Sequence, residues 1–193
     1  MAITEGRRPR THLNGTVPPA PQVTGTATGT VTRTRPVQYV WAVARFALGW
    51  VFLWAFLDKM FGWGFATPAA KAWINGGSPT TGFLKGAEGT FAGLFNGLAG
   101  QAWVDWLFMM GLLGIGAALI LGVGLRITAG AGGLLLLMMW AAELPLTTNP
   151  FMDEHIVYAI ILIGLALTGA GQTLGLGKVW AATPLVRRYP ILK

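Results

Sequence analysis

Residues 37–57 read VQYVWAVARFALGWVFLWAFL and run directly into Asp58 and Lys59. Apart from Arg45 the stretch carries no charge. At about 1.5 Å per helical residue it reaches about 30 Å, the thickness of a bilayer's hydrocarbon core. Three further runs of this kind follow. Residues 106–125 are free of charge between Asp105 and Arg126, with Gly111, Gly114, Gly116 and Ala117 small enough for close helix contact. Residues 127–142 stop at Glu143 and Pro145. A fourth span is expected over residues 156–170, where Asp153 and Glu154 put negative charge at the positive end of a helix. The expected fold is an all-α integral membrane protein: a bundle of four transmembrane helices within residues 37–177, with a long outer loop over residues 58–104.

Composition agrees with that reading. Of 193 residues, 53% are hydrophobic and only 11% charged, where a soluble domain carries about a quarter. There is no cysteine, so disulfides, thiolate metal sites, iron–sulfur clusters and dithiol relays are excluded. The net charge of +7 would suggest nucleic acid only if it formed one basic face. Instead the basic residues flank the apolar runs, so no nucleic-acid partner is expected. Arg7, Arg8, Arg10, Arg33 and Arg35 precede the first run, and Lys178, Arg187, Arg188 and Lys193 follow the last. The positive-inside rule then puts both termini and Arg126 on the cytoplasmic side of the cell membrane. Asp58, Glu88, Asp105, Glu143, Asp153 and Glu154, six of the seven acids, fall at or beyond the outer interface.

Residues 1–36, rich in Thr, Pro, Gly and Arg, cannot bury enough apolar surface to offset ordering and are expected to form a flexible cytoplasmic arm. Arg7-Arg8 is similar to a twin-arginine signal but has no apolar segment after it, so a cleaved signal peptide is not expected. Residues 178–193 form a basic cytoplasmic tail. In the outer loop, glycines recur at near-helical spacing from Gly82 to Gly97, with Phe91 and Phe95 on other positions. Two readings stand: a short helix at the interface, or a surface loop anchored by aromatics.

Arg45 is the most informative position, because a charge inside a span costs about 2.5 to 3.5 kcal/mol on insertion scales. It shares a helical face with Gly49, Phe52, Phe56 and Lys59, which predicts a stripe turned into the bundle. The other reading has Arg45 snorkelling to the headgroups. With almost every carboxylate at the opposite end, a buried Arg45 would lean on carbonyls, hydroxyls or a ligand. The second constellation is the outer mouth, where helix ends bring Asp58-Lys59, Asp105-Trp106, Glu143 and Asp153-Glu154-His155 to one depth. Acids ending a span can simply mark where water begins. They can also move protons, with His155 a carrier near neutral pH. A bis-histidine haem is excluded, since His12 lies in the arm and His155 is the one histidine beside a span. Ligation by His155 and a methionine stays open, although methionines in apolar helices usually pack. No metal-binding or phosphate-binding motif appears, and no metal ligands are assigned.

The segment from Arg45 through Gly49 and Phe52, followed by Asp58-Lys59-Met-Phe-Gly, resembles the first-helix signature of the DoxX/DoxD family. Trp106-Leu-Phe-Met-Met-Gly, Leu121-Gly-Val-Gly-Leu-Arg126, Glu143-Leu-Pro, Asn149-Pro-Phe-Met-Asp-Glu-His155 and Gly169-Ala-Gly-Gln-Thr-Leu-Gly look like its DoxD-type branch. The resemblance covers about residues 38–180. It implies a membrane subunit related to that of thiosulfate:quinone oxidoreductase, with quinone as a substrate and other membrane or outer-side redox subunits, or further copies of itself, as partners. In that setting Glu143, His155 and Asp58 would handle protons, while Arg45, Lys59, Asp105, Trp106 and Asp153 would bind quinone or an anionic donor. A non-catalytic anchor or assembly subunit is the competing expectation, and a small-solute transporter a third.

Overall fold

The structure, a computed structural model, describes residues 35–193; the twin-arginine pair and the arm up to residue 34 lie outside the described residues. Among the described residues there are helices and turns and no strand. Helix α1 spans Arg35–Phe61, α4 spans Ala102–Leu121 and α5 spans Leu125–Ala142. These three are long and apolar enough to cross a membrane. Helix α6, Glu154–Thr168, is equally apolar but has only 15 residues, about 22 Å at the helical rise. The expected fourth span is thus shorter than the others and starts two residues earlier than expected. The boundaries of the second span also move, because Gly122, Val123 and Gly124 form the turn between α4 and α5. Gly122 closes α4 at φ +74°, a left-handed conformation that favours glycine.

The four long helices close a ring in which α1 touches α4 and α6, and α5 touches α4 and α6. The predicted stripe on α1 is the inward one: Arg45, Leu48, Gly49, Phe52 and Phe56 are buried, and Lys59 is half-buried. They meet Met109, Leu112, Ile115 and Leu119 of α4, Leu136 of α5, and Leu162 and Leu165 of α6. The outward faces stay apolar as well, with Val40, Val43 and Trp50 on α1, Leu107 and Met110 on α4, Leu134 and Leu137 on α5, and Ile160 and Ile163 on α6 all exposed. A helix that is apolar all round needs a solvent as apolar as its core, which is lipid. This is a helical membrane protein.

The connection between α1 and α4 is folded. It holds two short helices, α2 (Thr81–Lys85) and α3 (Ala92–Leu98), and three single 3-10 turns. Leu84, Ala87 and Phe95 bury against Ala142, which ties this segment to the far end of α5. The carboxyl-terminal stretch is folded too. Helices α7 (Gly177–Ala182) and α8 (Pro184–Arg188) dock back, with Val186 fully buried, and the backbone N–H of Arg126 donates to the Lys193 carbonyl at 2.9 Å.

Helices α1 and α4 approach closely because small residues face each other's backbone. A Cβ on Gly116 would stand 2.8 Å from the Leu53 nitrogen, and one on Gly49 2.9 Å from the Leu119 Cβ, whereas one on Gly114 would meet nothing within 4 Å. Gly116→Ala should therefore destabilise the protein by about 1–3 kcal/mol through overpacking. Gly114→Ala should be neutral or stabilising by up to about 1 kcal/mol from helix propensity. Thermal unfolding of both variants in detergent checks the pair.

Candidate functional site

Arg45 is fully buried and does not snorkel. Its Nη1 donates to the carbonyls of Leu119 and Ile120, and its Nη2 to the carbonyls of Thr173 at 3.4 Å and Leu174 at 2.8 Å. The first pair belongs to the last turn of α4, whose carbonyls have no partner within the helix and carry the negative end of its dipole. The second pair follows α6. One guanidinium thus joins α1 to the ends of two other helices, and its face lies 4.3 Å from the Phe46 ring centroid. Glycines make the room: Cβ atoms on Gly122 and Gly175 would each come within 3.1 Å of a guanidinium nitrogen. Four of the five N–H donors are spent on protein carbonyls, and Nε is left without a partner. The expectation that Arg45 orients a ligand therefore gives way to an architectural role.

The mouth residues do not form one cluster. Asp58 is buried and accepts the backbone N–H groups of Phe65 at 3.4 Å and Ala66 at 3.0 Å, fastening the chain as it leaves α1. Asp105 is buried in the first turn of α4, and its Oδ1 accepts from Ser78 Oγ at 2.9 Å, Thr80 N at 3.1 Å and Thr80 Oγ1 at 2.6 Å. Both carboxylates, expected to carry protons or hold substrate, instead pin the 62–101 segment to the bundle. Two or three donors on each carboxylate leave it fewer lone pairs for any ligand. Trp106 is exposed and meets Trp73 edge to face at 4.6 Å. Lys59 sits 6.0 Å from the Phe108 ring centroid and shares with Lys71, Thr67 and Ser78 the wall of a groove of about 480 Å³.

Glu143, Asp153 and His155 do converge. Asp153 caps α6, its Oδ1 accepting from Ile156 N at 3.2 Å, while its Oδ2 lies 2.8 Å from His155 Nδ1. Glu143 follows the last residue of α5, and its Oε2 is 3.8 Å from the same ring nitrogen. With Asp153 ionised, Nδ1 holds the proton and donates it, so Nε2 carries a lone pair and has no partner among the described residues. One atom from each of the three lies within 4.8 Å of the others, near enough to share a cation as well as a proton. A groove of about 640 Å³ is lined by Glu143 and Asp153 of this set together with Glu88, Glu154, Thr147 and Thr148, while His155 is buried and is not part of its wall.

Burial raises the Glu143 carboxyl above its ordinary value of 4.5, His155 pulls it back, and Asp153 and Glu154 raise it further. A simple local signal announces the Asp153–His155 pair, since a cap residue and the residue two positions on meet at the start of a helix. Nothing local announces Ser78 and Thr80 as partners of Asp105, or the carbonyls of residues 173 and 174 as partners of Arg45, because those contacts are made by distant segments. No family model, curated protein or solved structure matches this chain.

Arg45→Met removes the guanidinium from four carbonyls, of which Leu119 keeps the Gly122 N–H as a donor, so it should cost about 3 kcal/mol. Arg45→Lys should recover only part of that, as a single ammonium cannot reach both carbonyl pairs. Thermal unfolding in detergent reads both. The raised Glu143 carboxyl means that the folded protein holds this proton more tightly than the unfolded one. Stability should therefore fall as pH rises from about 4.5 through the raised value and then level off. Glu143→Gln should flatten that part of the curve and be the more stable protein at neutral pH, whereas curves of unchanged shape would refute the assignment.

Proposed function

We propose that the chain is the membrane subunit of a quinone-linked oxidoreductase of DoxX/DoxD type, acting on thiosulfate or a similar reduced sulfur anion. The reading is carried by the convergence of Glu143, Asp153 and His155 beside an open groove. Reduction of a quinone takes up two electrons and two protons, so the ring must dock where an acid–base group can reach its oxygens. Here Glu143, in the groove wall, exchanges the proton with the ring oxygen, and His155, oriented by Asp153 through Nδ1, relays it. The half-buried Lys59, with Lys71 in the wall of the second groove, draws in the anionic donor. Asp58 and Asp105 hold the folded segment that carries these groups.

In this reading α6 and its flanks make a fourth crossing of the cytoplasmic membrane. Both termini then lie in the cytoplasm, and the acidic end faces outward by the positive-inside rule. The apolar exterior of α6 and its seat between α1 and α5 support that topology. Purified protein, alone or with its co-purifying subunits, should bind quinone and support thiosulfate-dependent quinone reduction. His155→Gln should lower that rate about 100-fold or more. Absence of quinone binding, or full activity in the His155 variant, would overturn the proposal.

One observation favours a second reading, that of an anchor for another subunit. Trp54, Phe61, Trp63 and Phe65 are in ring contact at the end of α1, and Phe61, Trp63 and Phe65 are exposed. Partner capture that survives substitution of Glu143 and His155 but is lost on Trp63→Ala, with no loss of activity from the complex in the former, would select it.

A further inference from the structure

The two ends of the bundle differ in charge. Asp58, Asp105, Glu143, Asp153 and Glu154 sit at the end formed by the carboxyl terminus of α1, the amino terminus of α4, the carboxyl terminus of α5 and the amino terminus of α6. Arg126, Lys178, Arg187, Arg188 and Lys193 gather at the other, where the carboxyl-terminal segment folds against the start of α5. At that basic end a pocket of about 170 Å³ opens between the first turns of α1 and the end of α6. Its walls include Gln38, Trp41, Thr168, Gln172, Thr173 and Lys178.

Gln38 is half-buried, and Gln172 and Lys178 are exposed. The amides of Gln38 and Gln172 and the ammonium of Lys178 make no hydrogen bond or ion pair with any described residue. The donor set is one cation and two neutral amides, with a hydroxyl from Thr173, whose carbonyl is already taken by Arg45. No carboxylate lines the pocket. Such a set suits a tetrahedral oxyanion. The floor is of another character, for Trp41 packs against Gly164, where a Cβ would come within 2.8 Å of the indole. Exposed Val40 and Ile163 continue that apolar surface along α1 and α6 within two turns. Polar donors above an indole, at the depth where a span ends, match the junction between a lipid's phosphate and its chains.

We infer that this pocket seats the phosphate of an anionic phospholipid, with Lys178, Gln38 and Gln172 donating to its oxygens and the acyl chains lying along α1 and α6. Lys178, the one cation in the wall and with no carboxylate beside it, favours a headgroup with net negative charge over one ending in an ammonium. The site is at the opposite end from Glu143, Asp153 and His155, and it stands whether or not those residues carry redox chemistry.

The test counts lipid retained by the full-length protein after extraction from vesicles of equal phosphatidylglycerol and phosphatidylcholine. Washing is done at about 1 M salt, where the Debye length is about 3 Å and diffuse attraction is screened. The parent protein should retain phosphatidylglycerol in severalfold excess. Lys178→Gln, an exposed substitution that leaves the core untouched, should abolish most of that excess, and Gln172→Leu part of it. The double variant Arg187→Gln, Arg188→Gln, outside the pocket, should keep it. Equal retention of the two lipids by the parent, or an excess unaffected by Lys178→Gln, overturns the site. An equal loss in the double variant assigns the effect to general surface charge and overturns it as well. Stripping of the retained lipid by millimolar inorganic phosphate would identify a free-phosphate site in place of a lipid one.

Discussion

Arg45 ties together the end of the bundle at which three separate stretches of chain meet. A guanidinium in an apolar interior is costly unless its donors are satisfied. Here the acceptors are carbonyls that would otherwise be orphans at the end of α4 and in the turn after α6. The helix dipole of α4 adds negative potential where the positive charge sits. Each group thus removes the other's penalty, and the arrangement specifies which helix end lies against α1. The glycines at 122 and 175 border it, where a Cβ would meet the Gly171 backbone first and the guanidinium next.

The opposite end is organised by carboxylates in a related way. Asp58 and Asp105 each gather donors from the segment between α1 and α4, and the Leu84–Phe95–Ala142 cluster adds an apolar contact beneath it. Two acids are thereby spent on architecture. Asp153 is likewise engaged, by Ile156 N and His155, whereas Glu143 lines an open groove with no hydrogen bond to a described residue. Groups whose hydrogen bonds are already complete have little to offer a substrate. This difference in satisfaction, more than position at the mouth, separates structural acids from candidate chemical ones.

Much of the fold was legible along the chain. Runs of apolar residues bounded by charges marked three long helices within a few residues, and the helical spacing of Arg45, Gly49, Phe52 and Phe56 identified the buried face of α1. The fourth helix lies two residues earlier than expected because Asp153 caps it and Gly169, at φ +62°, ends it. The helices within the 62–101 segment were only one of two readings, since their short periodicity is shared by aromatic loops. In the candidate site, Glu143, Asp153 and His155 were named from their place at span ends, but so were Asp58 and Asp105, and nothing in linear order distinguished the two groups.

What the sequence determined by itself is the division of the chain between lipid and water, because that depends on the length and polarity of continuous stretches. The same is true of the separation of acidic and basic residues, which follows their order relative to those stretches. What only the tertiary structure decided is which polar groups are already satisfied. Arg45 finds Leu119, Ile120, Thr173 and Leu174, and Asp105 finds Ser78 and Thr80, across 25 to more than 100 residues of chain. A hydrogen bond acts over about 3 Å. Its partner is set by how helices pack, which is a property of the whole fold.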